Sequence, residues 1–266
     1  DKNFNNEFSH QNTQKTVSCL KKIATKLIEF NVNYYRCVAT EACRQVLNPE
    51  FFINLVKDKT NLQVEVISAH EEAQLSFNSC LSYIEKISEK GIIFDIGGGS
   101  TELTVFHNSH NFFKTRSISY GVINLLEKKE LYGQKFVETE LRNHFNSIKN
   151  DFLNKSDLKL TSIGSCSTAT TLCAIYKGLS YFDIKKIEGC SIKKNDFLEV
   201  ANNVNQMSDD QLKKHSCVRS RYQLLQSGIK ILKFILEILP VDKIITSQKG
   251  LREGILTGML NKHAKN

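Results

Sequence analysis

Phe94-Asp95-Ile96-Gly97-Gly98-Gly99-Ser100-Thr101-Glu102 is the stretch from which the rest of the chain can be read. An apolar run, Ile92 to Ile96, leads into it and Leu103 to Phe106 leads out, so the spacing predicts two strands joined by a glycine-rich tip. Three successive glycines permit positive φ and a close backbone approach, so consecutive N–H groups can point into one concavity and hold an anion. Ser100 and Thr101 add hydroxyl donors, and Asp95 and Glu102 supply hard oxygens of the kind that suits Mg²⁺ bridging a phosphate. The G-x-x-x-x-G-K-[ST] pattern is absent and a strand rather than a helix follows, which excludes a P-loop and the dinucleotide fingerprint. A hairpin whose glycines merely serve the turn is the alternative, although a two-residue turn needs only one or two of them.

Working outward, residues 16–30 place Val17, Leu20, Ile23, Ala24, Leu27 and Ile28 at helical spacing. Cys37 to Ala39 reads as a strand, and Thr40 can cap a helix running to about Leu47. Asn48-Pro49 opens a further helix from about Glu50 to Lys57. Gln63 to Ile67 is a strand, and Ser68-Ala69-His70-Glu71 fits a capping box with Glu71 as the returning partner. That helix shows Ala73, Phe77, Cys80, Leu81 and Ile84 on one face. Downstream, helices are expected at 138–152, 168–175, 222–239 and 250–260, and strands at 159–163 and 243–246. Strands alternating with helices argue for an α/β architecture.

Three further constellations can carry chemistry. Glu72 has no capping duty and can project from a helix start, although a first-turn Glu is also favoured by the helix dipole alone. His70 reads as a surface residue. Arg44 follows a strand-to-helix turn, where a guanidinium and N-terminal amides can meet phosphate oxygens, and a plain surface Arg is the rival reading. Gly164-Ser165-Cys166-Ser167-Thr168 lies between a strand and a helix. It reads equally as a second anion-binding turn or as a place of close packing.

Composition bounds the partners. Lys and Arg outnumber Asp and Glu by 36 to 28, a net charge of +8, which suits a polyanion or a merely solvated basic surface. The eight cysteines include no Cys-x-x-Cys pair, so a zinc site or redox motif is not indicated. Most sit in apolar stretches, and a reducing, cytoplasmic setting is expected. The most apolar segment, Ile229 to Leu239, is too short and too charged to span a bilayer.

Four segments, in this order, resemble the exopolyphosphatase and guanosine-pentaphosphatase family. They are Val38-Ala39-Thr40-Glu41-Ala42-Cys43-Arg44, Glu65-Val66-Ile67-Ser68-Ala69-His70-Glu71-Glu72-Ala73, Asp95 to Glu102, and Gly250-Leu251-Arg252-Glu253-Gly254. The resemblance implies a two-lobed actin-like (ribonuclease H-like) fold of the superfamily that includes sugar kinases and heat-shock ATPases. The first lobe would cover residues 1–75 and the second 76–266, and whether the last helix packs back on the first is left open. It implies Glu72 as the general base, Arg44, Gly97, Gly98, Gly99, Ser100 and Thr101 as phosphate ligands, and Asp95 and Glu102 as Mg²⁺ ligands. Gly164, Ser167 and Thr168 belong to its third loop, usually G-x-G-G-T, where Cys166 and Ser167 here replace glycines. The family's opening D-x-G-S-N-S hairpin lies upstream of residue 1, so an N-terminally truncated member is expected. The implied substrate is inorganic polyphosphate or guanosine pentaphosphate, with no membrane and no specific nucleic acid as partner, and a homodimer is an option. A catalytically impaired binding remnant is the rival reading.

Overall fold

The computed structural model describes residues 8–87, 90–107, 112–218 and 221–263. The chain divides into two compact units, Asp1–Glu72 and Ala73–Asn266.

In the first unit Ser9 caps α1 (His10–Glu29) by accepting the Asn12 N–H at 3.3 Å. The short strand β1 (Cys37–Ala39) follows, then a single helical turn, α2 (Glu41–Arg44). This turn stops well short of Leu47, and Thr40 makes no capping bond to it. Asn48 does cap α3 (Pro49–Thr60), accepting from the Phe51 N–H, and Asn61 closes the helix in the left-handed conformation. β2 (Val64–Val66) pairs in parallel with β1, Val38 facing Glu65. Val17, Val56 and Leu62 form the buried centre between α1, α3 and β2. α4 (Ala69–Ser79) carries the division between the units.

The helix expected to continue from α4 through Ile84 breaks at Cys80 and resumes as one turn, α5 (Leu81–Ile84). β3 (Lys90–Ile96), β4 (Thr101–His107) and β5 (Phe112–Ile118) then form an antiparallel meander. α6 (Asn124–Tyr132) and α7 (Gln134–Phe152) lead to β6 (Leu160–Gly164), which lies parallel to β3. After β6 come α8 (Ser167–Tyr176), α9 (Ile184–Ile187), β7 (Ser191–Lys193), α10 (Lys194–Gln206), α11 (Asp209–Lys214) and α12 (Tyr222–Ile238). β8 (Val241–Thr246) and α13 (Leu251–His263) complete the chain's described elements. The sheet order is β5-β4-β3-β6-β8-β7, with β6 and β8 parallel and β7 antiparallel to β8.

Alternation along β3 decides what faces what. Ile92, Phe94 and Ile96 enter the large core with Leu141 and Phe145 of α7 and Ile231, Leu232 and Ile235 of α12. Ile93 enters the smaller cluster on the opposite face with Cys80, Ile84 and Phe106. Asp95, two residues beyond Ile93, therefore shares this second face. The core of one unit thus fixes where the carboxylate at the strand end points.

Candidate functional site

In the first unit the Arg44 guanidinium is fully engaged. Nε and Nη2 donate to Glu41 Oε2 at 3.1 and 2.9 Å, and Nη1 donates to the Ile67 carbonyl at 2.9 Å. Nη1 and Nη2 both donate to Glu72 Oε2 at 3.0 Å. An arginine has five N–H donors, and all five are taken. Arg44, expected as a phosphate ligand, here binds α2 to the start of α4 and holds Glu72. The three side chains are 17%, 13% and 14% exposed for Arg44, Glu41 and Glu72. Burial pushes the Glu72 carboxyl above the ordinary carboxylate range, and the Arg44 hydrogen bonds and charge pull against it. Neighbouring Glu41 adds to the rise, while a hydrogen bond from Thr40 opposes it. Two carboxylates thus share one cation, with Oε1 of Glu72 outside the Arg44 fork.

Glu71 also departs from expectation. Its N–H does bond to Ser68 Oγ at 3.1 Å, which is the forward half of the capping box. Its carboxylate, however, pairs with Arg36 Nη2 at 2.6 Å. The returning half of the box is replaced by an ion pair reaching across the unit.

In the second unit, Gly97, Gly98 and Gly99 form the expected tip between β3 and β4, but none of them has positive φ. Close approach is what they supply. The Gly97 N–H closes the turn onto the Ser100 carbonyl at 2.9 Å. The three glycine carbonyls all turn to one segment: Val122 N–H donates to Gly97 O, Ile123 N–H to Gly98 O, and Asn124 Nδ2 to Gly99 O at 2.6 Å. Asn124 also accepts the Gly121 N–H at 2.6 Å and donates to Ser119 O at 3.1 Å. With the carbonyls held on that side, the N–H groups of Gly98, Gly99 and Ser100 have no acceptor among the described residues. Sequence reasoning passed over Asn124, although an Asn at the start of a helical run is a usual capping signal.

Asp95 and Glu102 are directly opposed across β3 and β4, and Ser117 opposes Glu102 on β5. Directly opposed residues point to the same face, so the three form a row at the glycine end of the sheet. Glu102 is almost wholly buried and accepts the Ser117 hydroxyl at 2.7 Å. Asp95 is half-buried. One or two carboxylates completed by substrate oxygens and water is the usual donor set for Mg²⁺, and these residues fit it.

Other expected ligands are differently employed. Thr101 is fully buried and its hydroxyl donates to the Tyr120 carbonyl at 2.6 Å. Gly164 is a packing glycine, since a Cβ there would meet Ala169 and the Phe94 ring at 2.7 Å. Thr168 is buried against Gly228 of α12. Ser167 is exposed and accepts from Arg221 at 2.9 Å. Cys166 stands at the N-cap position of α8 without a side-chain capping bond, its thiol pushed up to about 12 by burial and by the charge of Asp95. Of the two readings of this turn, close packing accounts for Gly164 and Thr168.

Residues 1–263 match the Ppx/GppA phosphatase family. The chain belongs to that family. It is 28% identical over 276 residues to the bifunctional 3-dehydroquinate synthase/phosphatase of Fusobacterium nucleatum, covering 98% of this chain and 40% of that protein. It is 25% identical over 208 residues to exopolyphosphatase 2 of Mycobacterium tuberculosis, covering 73% and 63%. The chain thus spans between two fifths and two thirds of the length of these relatives. In fold it is similar to the crystal structure of the Aquifex aeolicus Ppx/GppA member, with TM-score 0.76 and 24% identity over 98% of this chain and 85% of that one. The likeness bears out the α/β class read from the alternation of strands and helices. Among the described residues no helix is long and apolar enough to cross a membrane.

Proposed function

We propose that the protein hydrolyses the terminal phosphoanhydride of a linear polyphosphate, either inorganic polyphosphate or the 5′-triphosphate of guanosine pentaphosphate. The observation that carries this is the row of unclaimed N–H groups at Gly98, Gly99 and Ser100 beside the Asp95–Glu102 carboxylate pair. Fixed N–H donors stabilise charge on a transferring phosphoryl group without reorganising during the reaction. Asp95 and Glu102 would hold Mg²⁺, which when bound supplies charge neutralisation of phosphate oxygens.

Glu72 acts as the general base. Its carboxylate takes a proton from water as the water oxygen bonds to the terminal phosphorus, and the bridging P–O bond breaks to release the shortened chain. A carboxyl raised above its ordinary range is a better base for this step, and Arg44 keeps it oriented. The net charge of +8 favours a polyanionic substrate generally.

Phosphate release from tripolyphosphate with Glu72→Gln tests the reading. Turnover is expected to fall roughly 10²-fold, with affinity preserved, as for loss of a general base. Parental turnover in Glu72→Gln would remove Glu72 from the mechanism. Binding without release in the parent protein would make this chain an anion-binding module instead.

A further inference from the structure

Glu188, which neither the motifs nor the mechanism uses, is half-buried at the end of α9 and receives three donors. Oε1 accepts the Tyr83 phenol and the Ser247 hydroxyl, the latter at 3.0 Å, and Oε2 accepts the Gln248 N–H at 2.7 Å. Two of the three donors belong to the loop that follows β8. That loop continues straight to the site. Ser247 N–H donates to Gly164 O at 3.0 Å, and Ser247 Oγ accepts the Lys249 N–H at 3.0 Å. The Lys249 carbonyl accepts the Ser165 hydroxyl at 2.5 Å. A Cβ placed on Gly250 would lie 3.5 Å from Ser165 Oγ and 4.0 Å from Asp95 Oδ2. The backbone at Gly250 therefore runs close beside the Asp95 carboxylate.

We propose that Glu188 is a positioning residue: its carboxylate fixes Ser247 to Gly250 against Asp95 and so sets the shape of the anion site. This rests on the glycine turn and Asp95 forming that site. The chemistry calls for a carboxylate. All three neighbours are donors, and an ionised carboxylate is the side chain that accepts everywhere and donates nowhere. A glutamine that keeps its oxygen on the Tyr83 and Ser247 hydroxyls turns its NH₂ against the Gln248 N–H and loses that bond to the loop, and the reversed amide forces both hydroxyls to turn from donor to acceptor. The loop then shifts while the surrounding core is untouched.

The test compares Glu188→Gln with Tyr83→Phe. Tyr83→Phe deletes one bond to Glu188 and keeps both loop bonds. Tripolyphosphate binding is measured by calorimetry and phosphate release by a coupled assay, with melting temperature followed throughout. Misplacement of a site by about 1 Å can cost roughly 10²-fold in rate; a loop that shifts but stays tethered by Ser165 is expected to cost about tenfold. We expect Glu188→Gln to weaken tripolyphosphate binding about tenfold with a folded fraction equal to the parent, and Tyr83→Phe to stay within about threefold. Equal binding in Glu188→Gln and parent overturns the proposal, as does an equal loss in Tyr83→Phe. Failure of the hydrolase reading is separable, because the parent would then release no phosphate while the binding comparison still reads the loop.

Discussion

Gly121→Ala tests the geometry on which the anion site depends. A Cβ at Gly121 would lie 2.4 Å from the Gly98 carbonyl carbon and 2.5 Å from the Gly97 and Gly98 oxygens. All three are backbone atoms, so no flexible side chain can swing away. Restoring ordinary contact at about 3.4 Å or more requires the two segments to part by roughly 1 Å. That movement must stretch the bonds from Val122 and Ile123 N–H to the same carbonyls, both 2.9 Å long. Overpacking of this kind typically costs about 1–3 kcal/mol. In a unit of this size that lowers the melting temperature by roughly 2–4 °C per kcal/mol. The glycine N–H groups lose their common direction at the same time, and a 1 Å error can cost about 10²-fold in rate. Gly91→Ala is the control, because its Cβ would press 2.4 Å from the Phe106 ring at the other end of β3. Thermal melts with and without tripolyphosphate, and calorimetric binding, separate the two variants. Gly121→Ala should lose both stability and ligand-induced stabilisation, and Gly91→Ala stability with binding retained in its folded fraction. A Gly121→Ala protein with parental affinity would refute the reasoning that the 121–124 segment displays the glycine N–H groups.

Arg44→Met should move the acid limb of the pH–rate profile to higher pH, because the fork that holds Glu72 down against burial is gone; an unmoved limb in a folded variant would separate the two residues. Since the folded-state pKa of Glu72 is raised, its contribution to stability is full at low pH and declines as pH rises through that value. Glu72→Gln should abolish this decline, read from urea midpoints across the carboxylate range. Asp157 behaves oppositely: burial pushes it up, but the Lys90 ion pair and the Asn154 N–H outweigh this and leave it below its usual range. Its stabilisation is present above about pH 4 and lost on further acidification, and Lys90→Met should flatten that loss. Ser68→Ala should cost about 1 kcal/mol by uncapping α4. Glu71→Gln should cost less, since it breaks only a half-exposed ion pair with Arg36; chemical denaturation ranks the two.

The sequence disclosed those parts of the molecule whose cause is local. The glycine tip and its flanking strands follow from the consecutive residues Ile92 to Phe106, and α12 from a long apolar stripe. β5 escaped notice because Lys114 and Arg116 interrupt Phe112–Ile118; it is the edge strand of the sheet, where charged residues are tolerated on the open side. α10 was hidden by its polar majority, although Phe197, Ala201 and Val204 do form a thin buried stripe at helical spacing. β7 has three residues and one buried side chain, Ile192, which is below any periodic signal.

At the site the same division holds, and it explains why matching letters did not assign every role. Glu71 satisfied a local rule with Ser68, but its carboxylate answers to Arg36, thirty-five positions upstream. Arg44 stood where a phosphate ligand was expected, yet partners from α2, the Ile67 carbonyl and α4 take every donor it has. Thr101 and Ser100 are adjacent hydroxyl residues. One is claimed by Tyr120, a contact that only the return of the chain from β5 can make. The glycines carry the argument furthest. Their number suggested positive φ, but the structure uses their lack of side chains instead, letting Gly121 press against Gly98 while Val122, Ile123 and Asn124 take the three carbonyls. A peptide unit whose carbonyl is held on one side must present its N–H on the other. The N–H face of the turn, which the proposed function assigns to phosphate, is therefore set by a segment more than twenty residues away, and Asn124 shapes it as much as the glycines do.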